Sequence, residues 1–361
     1  MWLEFAIKTL VSLAPVVVFL VVLLQLDSYK LVRFRLVLSV LLGGALLAML
    51  AYAINGYAIN VLKIDFTPYS LYVAPVIEET LKALAIVLLF RTNRIGFAID
   101  AIILGFAVGT GFALLENLYY LNTLMGAGWG DWVMRGLGTA IMHGGTAAIF
   151  AALSHRLTSR RDTPAFYLFL PGLIVAALLH GIFNHFPGNP LVSVIPVLLV
   201  MPVSFFVLFQ KSEHAIHTWL VSDIESHEEL LHRLESGHLP ETDSGRSLLA
   251  LAQKLEAEIF TYVFDYLRVH TELVLRAEAI LLSREQGIEI TIDVDVHDGF
   301  IRLHTLERVI GRTTLLTLRP HLHFTRLELW ELYQLEERSR RIPAAHQHPW
   351  FEPASAAKMH I

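Results

Sequence analysis

Apolar residues fill seven long runs in the first 210 positions, at 6–26, 36–59, 66–90, 95–121, 132–153, 165–186 and 191–209, parted by short polar breaks. Each is near the roughly 20 residues that a helix needs to cross the hydrocarbon core. The pattern therefore predicts about seven transmembrane helices. Runs one, two and seven hold almost no ionisable groups, whereas the third carries Glu78 and Glu79 side by side, with Lys82 one turn on. A carboxylate at that depth costs roughly 2.5–3.5 kcal/mol on insertion scales, and such groups mark functional sites by default. Run one has no small-residue cleavage site behind it and is read as a retained span.

Past residue 210 the pattern changes. Residues 247–282 place Leu248, Leu251, Leu255, Ile259, Val263 and Leu267 at spacings of three and four, which predicts an amphipathic helix. Residues 321–341 read the same way, while 288–296 alternate apolar and polar as a short strand would. The expected architecture is all-α: a polytopic bundle over 1–210, a mostly helical cytoplasmic domain over 211–342, and a disordered tail over 343–361.

Composition supports this division. Of 361 residues, 55% are hydrophobic and 17% charged. Residues 1–210 carry 12 Lys and Arg against 9 Asp and Glu, and residues 211–361 carry 16 against 24. The acidic second part has no basic footprint, so no nucleic-acid partner is expected. Lys30, Arg33, Arg35, Arg91, Arg94, Arg156, Arg160, Arg161 and Lys211 all fall on one side of a seven-span layout. The positive-inside rule then sets the N-terminus outside and the C-terminal domain in the cytoplasm. The chain has no cysteine, which excludes disulfides, iron–sulfur ligands and a thiol nucleophile.

A rise of about 1.5 Å per residue puts Glu78 near the midplane, with Glu116, Asn117, His143, His180 and Asn184 between it and the outer surface. Arg135 lies near that surface, and Asp100 near the inner one, where snorkelling is cheap. Glu78 and Lys82, four apart, share a helix face, while Glu79 points about 100° away. Phe112 and Glu116 share a face likewise, as do His180 and Asn184. Glycines in runs four and five allow close packing that would join Glu116 to His143.

These residues fall into four ordered motifs: Glu78-Glu79-Thr80-Leu81-Lys82, Phe112 to Glu116-Asn117, His143-Gly144-Gly145, and His180 to Asn184. They resemble the EExxK, FxxxEN, histidine and HxxxN motifs of PrsW-type intramembrane proteases, distant relatives of the type II CAAX prenyl endopeptidases. The resemblance covers roughly residues 60–190. It implies a membrane-embedded peptidase acting on a membrane protein or peptide, with the lipid bilayer as its surroundings and a bacterial inner membrane as its location. An anti-sigma factor is one substrate the family suggests. By the same resemblance Glu78 is the base that activates water, Glu79 supports it, and His180 with Asn184 stabilises the oxyanion. Glu116 stands where the CAAX enzymes carry a water-positioning histidine, a role that His143 could take over. Lys82, Phe112, Asn117 and Arg135 are expected to support the site or the substrate.

Other chemistries use the same residues. Glu78 or Glu79, with Glu116, His143 and His180, offers a ligand set for Zn2+, though no HExxH pair shares one helix face. The metal-free glutamic mechanism is the preferred reading, with no cofactor expected. A proton- or cation-coupled transporter is a further alternative, with Pro75 as a possible break in the third span. A catalytically inactive protein that holds a partner's membrane segment is another. The C-terminal domain is read as regulatory, docking a cytoplasmic partner that its sequence does not identify. Its acidic stretch at Asp293, Asp295 and Asp298 lacks the glutamate that closes a calcium loop.

Overall fold

The computed structural model describes residues 2–27, 29–123, 126–159, 165–185, 190–236, 257–288, 290, 294–311, 314–315 and 326–340. Its helices are α1 (Trp2–Leu26), α2 (Phe34–Leu62), α3 (Ala74–Arg91), α4 (Ala98–Thr123), α5 (Ala140–Thr158), α6 (Leu170–Asn184), α7 (Pro190–Ser236), α8 (Ala257–Glu285), α9 (Val294–Ile310) and α10 (Arg326–Ser339). Two of them are entered through π-helical segments: Tyr69–Val73 leads into α3 and Met134–Thr139 into α5. Among the described residues there is no strand. The fold is an all-α polytopic helical bundle, and the protein is a multi-pass membrane protein.

Among the described residues six helices are long and apolar enough to cross a membrane. The run holding the glutamates is helical from Phe66 to Arg91, but Glu78, Glu79, Lys82 and Arg91 make it too polar for that count. The strand expected at 288–296 is also corrected: Val294, Asp295 and Val296 open α9, whereas 289 and 291–293 lie outside the described residues. The helix expected at 247–282 is described from Ala257 and that at 321–341 from Arg326 to Ser339. Residues 247–256, 321–325 and 341, and the tail 343–361, lie outside the described residues.

The chain packs as two units. One comprises Met1–Asp223 with Arg284–Gly287 and Thr325–Trp330; the other comprises Ile224–Ser283, Ile288–Phe324 and Glu331–Ile361. In the first, α4 is the central helix, buried around its circumference from Ile99 to Ala113. Glycine makes its close contact with α5 possible, because a methyl at Gly109 would overlap the carbonyl of His143. That approach sets His143 against Glu116, two turns further along α4. The outer faces of α2 and α6 show Leu42, Leu46 and Met49, and Ile174, Leu178 and Ile182, at intervals of three or four. Such stripes suit acyl chains. Asp100 does not snorkel. It is buried, and its Oδ2 accepts the N–H groups of Gly96 (2.9 Å) and Phe97 (3.2 Å), capping the start of α4.

In the second unit α8, α9 and α10 bury Val263, Leu267, Val274, Phe300, Leu303, Leu332 and Leu335 around one core. His270 is buried in α8, and desolvation holds its imidazole down to about 3, with His227 adding like-charge repulsion. The folded unit therefore keeps this ring neutral while the unfolded chain binds a proton near the ordinary 6.5. Stability is unaffected above that value and falls by about 1.4 kcal/mol per pH unit as pH drops from about 6.5 toward 3. Thermal melts of the detergent-solubilised protein at pH 7.5 and 5.0 test this. Wild type should lose more between the two than His270→Leu does; equal losses would contradict it.

Candidate active site

Four helices and both π segments converge on one cluster of polar side chains. Helix α3 brings Glu78, Glu79 and Lys82; α4 brings Phe112, Glu116 and Asn117; α5 brings His143 and Thr146; α6 brings His180. Arg135 comes from the π segment before α5.

Lys82 lies at the centre, 1% exposed. Its ammonium donates to Glu79 Oε1 at 2.5 Å and to His143 Nδ1 at 3.1 Å, and it stands 5.1 Å over the Phe112 ring. The same Glu79 oxygen accepts Thr146 Oγ1 (3.1 Å) and His180 Nδ1 (2.9 Å). A carboxylate oxygen only accepts, so His180 carries a proton on Nδ1. Likewise the Lys82 bond puts the His143 proton on Nε2, which faces Glu116 Oε2 at 2.7 Å. Arg135 donates from Nη2 to Glu116 Oε1 (2.9 Å) and from Nε to Asn117 Oδ1 (3.0 Å), with its guanidinium over the Tyr120 ring at 3.6 Å.

The charges then sort themselves. Three carboxylates face two cations; Glu79 has Lys82, and Glu116 has Arg135. Glu78 has only a neutral amide, Asn55 Nδ2, on its Oε1 at 3.1 Å. Its Oε2 stands 3.9 Å from His180 Nε2, too far for a hydrogen bond. At 15% side-chain exposure it is also more open than Glu79, at 1%.

Several sequence expectations meet this geometry differently. Lys82 bonds Glu79 at i+3, not Glu78 at i+4, because Thr146 and His180 approach Glu79 from two other helices and gather on its oxygen. Glu78, His143 and His180 form a cluster whose donor atoms lie within 4.8 Å of one another. The sequence-derived ligand set left Glu78 or Glu79 open and added Glu116; Glu79 Oε1 is here occupied by three donors. Asn117 is a structural tie, donating to Ser12 O in α1 (2.8 Å) and reaching Arg135 O at 3.4 Å. Asn184 donates to Ser70 O at 3.0 Å, away from the carboxylates. Three partners were missed by the motif reading: Thr146, Asn55, and Tyr69, whose hydroxyl donates to Asn55 Oδ1 at 2.9 Å. A lone amide in the apolar run 36–59 was the available signal for Asn55.

Residues 33–209 match the model of the PrsW family intramembrane metalloprotease. The chain belongs to the PrsW family through this segment. No curated protein and no solved structure matches it. PrsW membership makes it a membrane peptidase in kind, and the family description raises the question of a metal. The chemistry of the donor set fits one. Glu78, His143 and His180 give two imidazoles and a carboxylate, a usual set for catalytic zinc. Glu79 behind His180 is the outer carboxylate that such histidines carry.

The Lys82–Glu79 pair predicts its own mutational signature. Lys82→Met leaves Glu79 as an uncompensated buried charge and should destabilise the protein by roughly 3–5 kcal/mol. Adding Glu79→Gln removes the stranded charge, so the double variant should melt above Lys82→Met. Thermal melting in detergent measures both; additive losses would show that the two groups do not form a pair.

Proposed function

We propose that this PrsW-family protein is an intramembrane endopeptidase in which Glu78 takes the proton from the attacking water. The observation that carries the reading is the charge count. Glu78 is the one carboxylate of the cluster without a cation, and it faces Nε2 of His180 across a gap of 3.9 Å. A base must be free to accept a proton, and a group already locked in an ion pair is not. His180, oriented by Glu79 through Nδ1, donates its Nε2–H to the carbonyl oxygen that turns negative, and the proton taken up by Glu78 passes to the leaving amine as the C–N bond breaks. Glu116, held by Arg135, fixes the His143 ring.

A second reading has its own support in the Glu78, His143 and His180 cluster and in the family description. Those three residues would hold a divalent metal, which supplies Lewis-acid polarisation of the scissile carbonyl. His143 would exchange Lys82 or Glu116 for the ion.

The substrate on either reading is a membrane protein or peptide cut in or near its membrane segment, an anti-sigma factor being one candidate that the resemblance suggests. We assign the protein to a bacterial plasma membrane with its N-terminus outside. Residues 1–210 form the protease domain, and residues 211–342 a cytoplasmic domain that docks a regulator.

Cleavage of a fluorogenic transmembrane peptide in proteoliposomes tests the assignment. Glu78→Gln should lower kcat by roughly 10²–10⁴-fold while leaving the melting temperature within a few degrees. Retained cleavage would remove Glu78 as the base. Prolonged chelation separates the two readings: the metal-free mechanism predicts unchanged kcat, the metal-assisted one a loss that Zn2+ restores.

A further inference from the structure

The π segment before α3 leaves one backbone carbonyl without a backbone donor. In a π turn each N–H reaches back five residues rather than four. The N–H of Ala74 accordingly donates to Tyr69 O. The next carbonyl, Ser70 O, would need the N–H of residue 75 to continue that pattern, or that of residue 74 to return to α-helical bonding. Residue 75 is proline and has no N–H, and the N–H of residue 74 is spent on Tyr69. Inside a bilayer no bulk water can satisfy such a group, so a partner must come from the protein.

That partner is Asn184. Its Nδ2 donates to Ser70 O at 3.0 Å from the last residue of α6. One turn earlier on the same helix is His180. Three and four residues after Pro75 are Glu78 and Glu79, which His180 faces at 3.9 and 2.9 Å. The adjacent residue of the π segment is tied as well: Tyr69 donates to Asn55, and Asn55 to Glu78. The segment is thus bonded toward α6 through Ser70 and toward α2 through Tyr69.

We infer that Asn184 is a positioning residue that supplies the N–H Pro75 lacks, pinning α6 to the π segment and so fixing His180 against the glutamates. The resemblance assigned Asn184 to the oxyanion; here its amide bonds a backbone carbonyl instead. The inference rests on the reading of Glu78 and His180 as reacting groups, and its test separates the two.

The experiment is a mutant cycle in the full-length protein, with cleavage of the fluorogenic transmembrane peptide in proteoliposomes and thermal melting in detergent as readouts. The variants are Asn184→Leu, Pro75→Ala and the double variant. Asn184→Leu with Pro75 present should lower kcat by about tenfold to a hundredfold, because misplacement by about 1 Å is enough for that. KM should change little. In the Pro75→Ala background a backbone N–H is restored to Ser70 O, and the same substitution should cost less than about threefold. The drop in melting temperature should be relieved in the same way. Equal losses of kcat in both backgrounds would overturn the inference and return Asn184 to the oxyanion. No loss of kcat or melting temperature in either background would equally overturn it. Glu78→Gln measured alongside reports on the base alone: if it still cleaves, that reading fails, whereas the melting-temperature cycle between residues 75 and 184 still stands or falls by itself.

Discussion

The Lys82–Glu79 ion pair is the interaction on which the membrane unit depends. In a medium of low dielectric a bare carboxylate is expensive, and an ion pair there is tolerable only when the remaining donors and acceptors are satisfied. Glu79 meets that demand with Lys82, Thr146 and His180 on one oxygen, joining α3 to α5 and α6. Lys82 meets it with Glu79 and His143. The pair therefore orients both imidazoles and defines their tautomers. By consuming the cation it also leaves Glu78 as the carboxylate with no compensating charge.

Packing brings these groups within reach. Helix α4 is in the middle of the unit, and Gly109 lets α5 approach until the backbone at His143 fills the space a side chain would take. Arg135 and Glu116 then close on the far side of His143. The two π segments work toward the same end. Each leads into a helix of the site, one carrying the glutamates and the other His143, and each has a carbonyl within reach of a motif asparagine: Ser70 of Asn184, and Arg135 of Asn117.

Much of this was legible in the sequence. Runs of about 20 apolar residues mark the helices, and ionisable residues within such runs mark the site, because the bilayer tolerates few of them without a purpose. Glu78, Glu79, Glu116, His143 and His180 are all found that way. The pairing among them was not legible. Lys82 is three residues from Glu79 and four from Glu78, and an isolated helix permits either bond. The choice is made by Thr146 and His180, which are 67 and 101 residues away from Glu79 in the chain. Asn55 was hidden because it is uncharged, and the π segment because only Pro75 hints at it. The alternation at 288–296 misled for a similar reason: Val294 and Val296 suit a strand by pattern, while Val296 is buried in the helical core against α8 and α10.

The central claim is that Glu78 bears the chemistry while Glu79 and Lys82 hold the frame. The direct measurement is kcat for peptide cleavage by purified Glu78→Gln and by the Glu79→Gln/Lys82→Met double variant, both confirmed folded. The double variant removes opposite charges together and keeps an acceptor oxygen for His180. The account predicts that it retains at least about tenfold more activity than Glu78→Gln. Activity in Glu78→Gln equal to or above that of the double variant would contradict it.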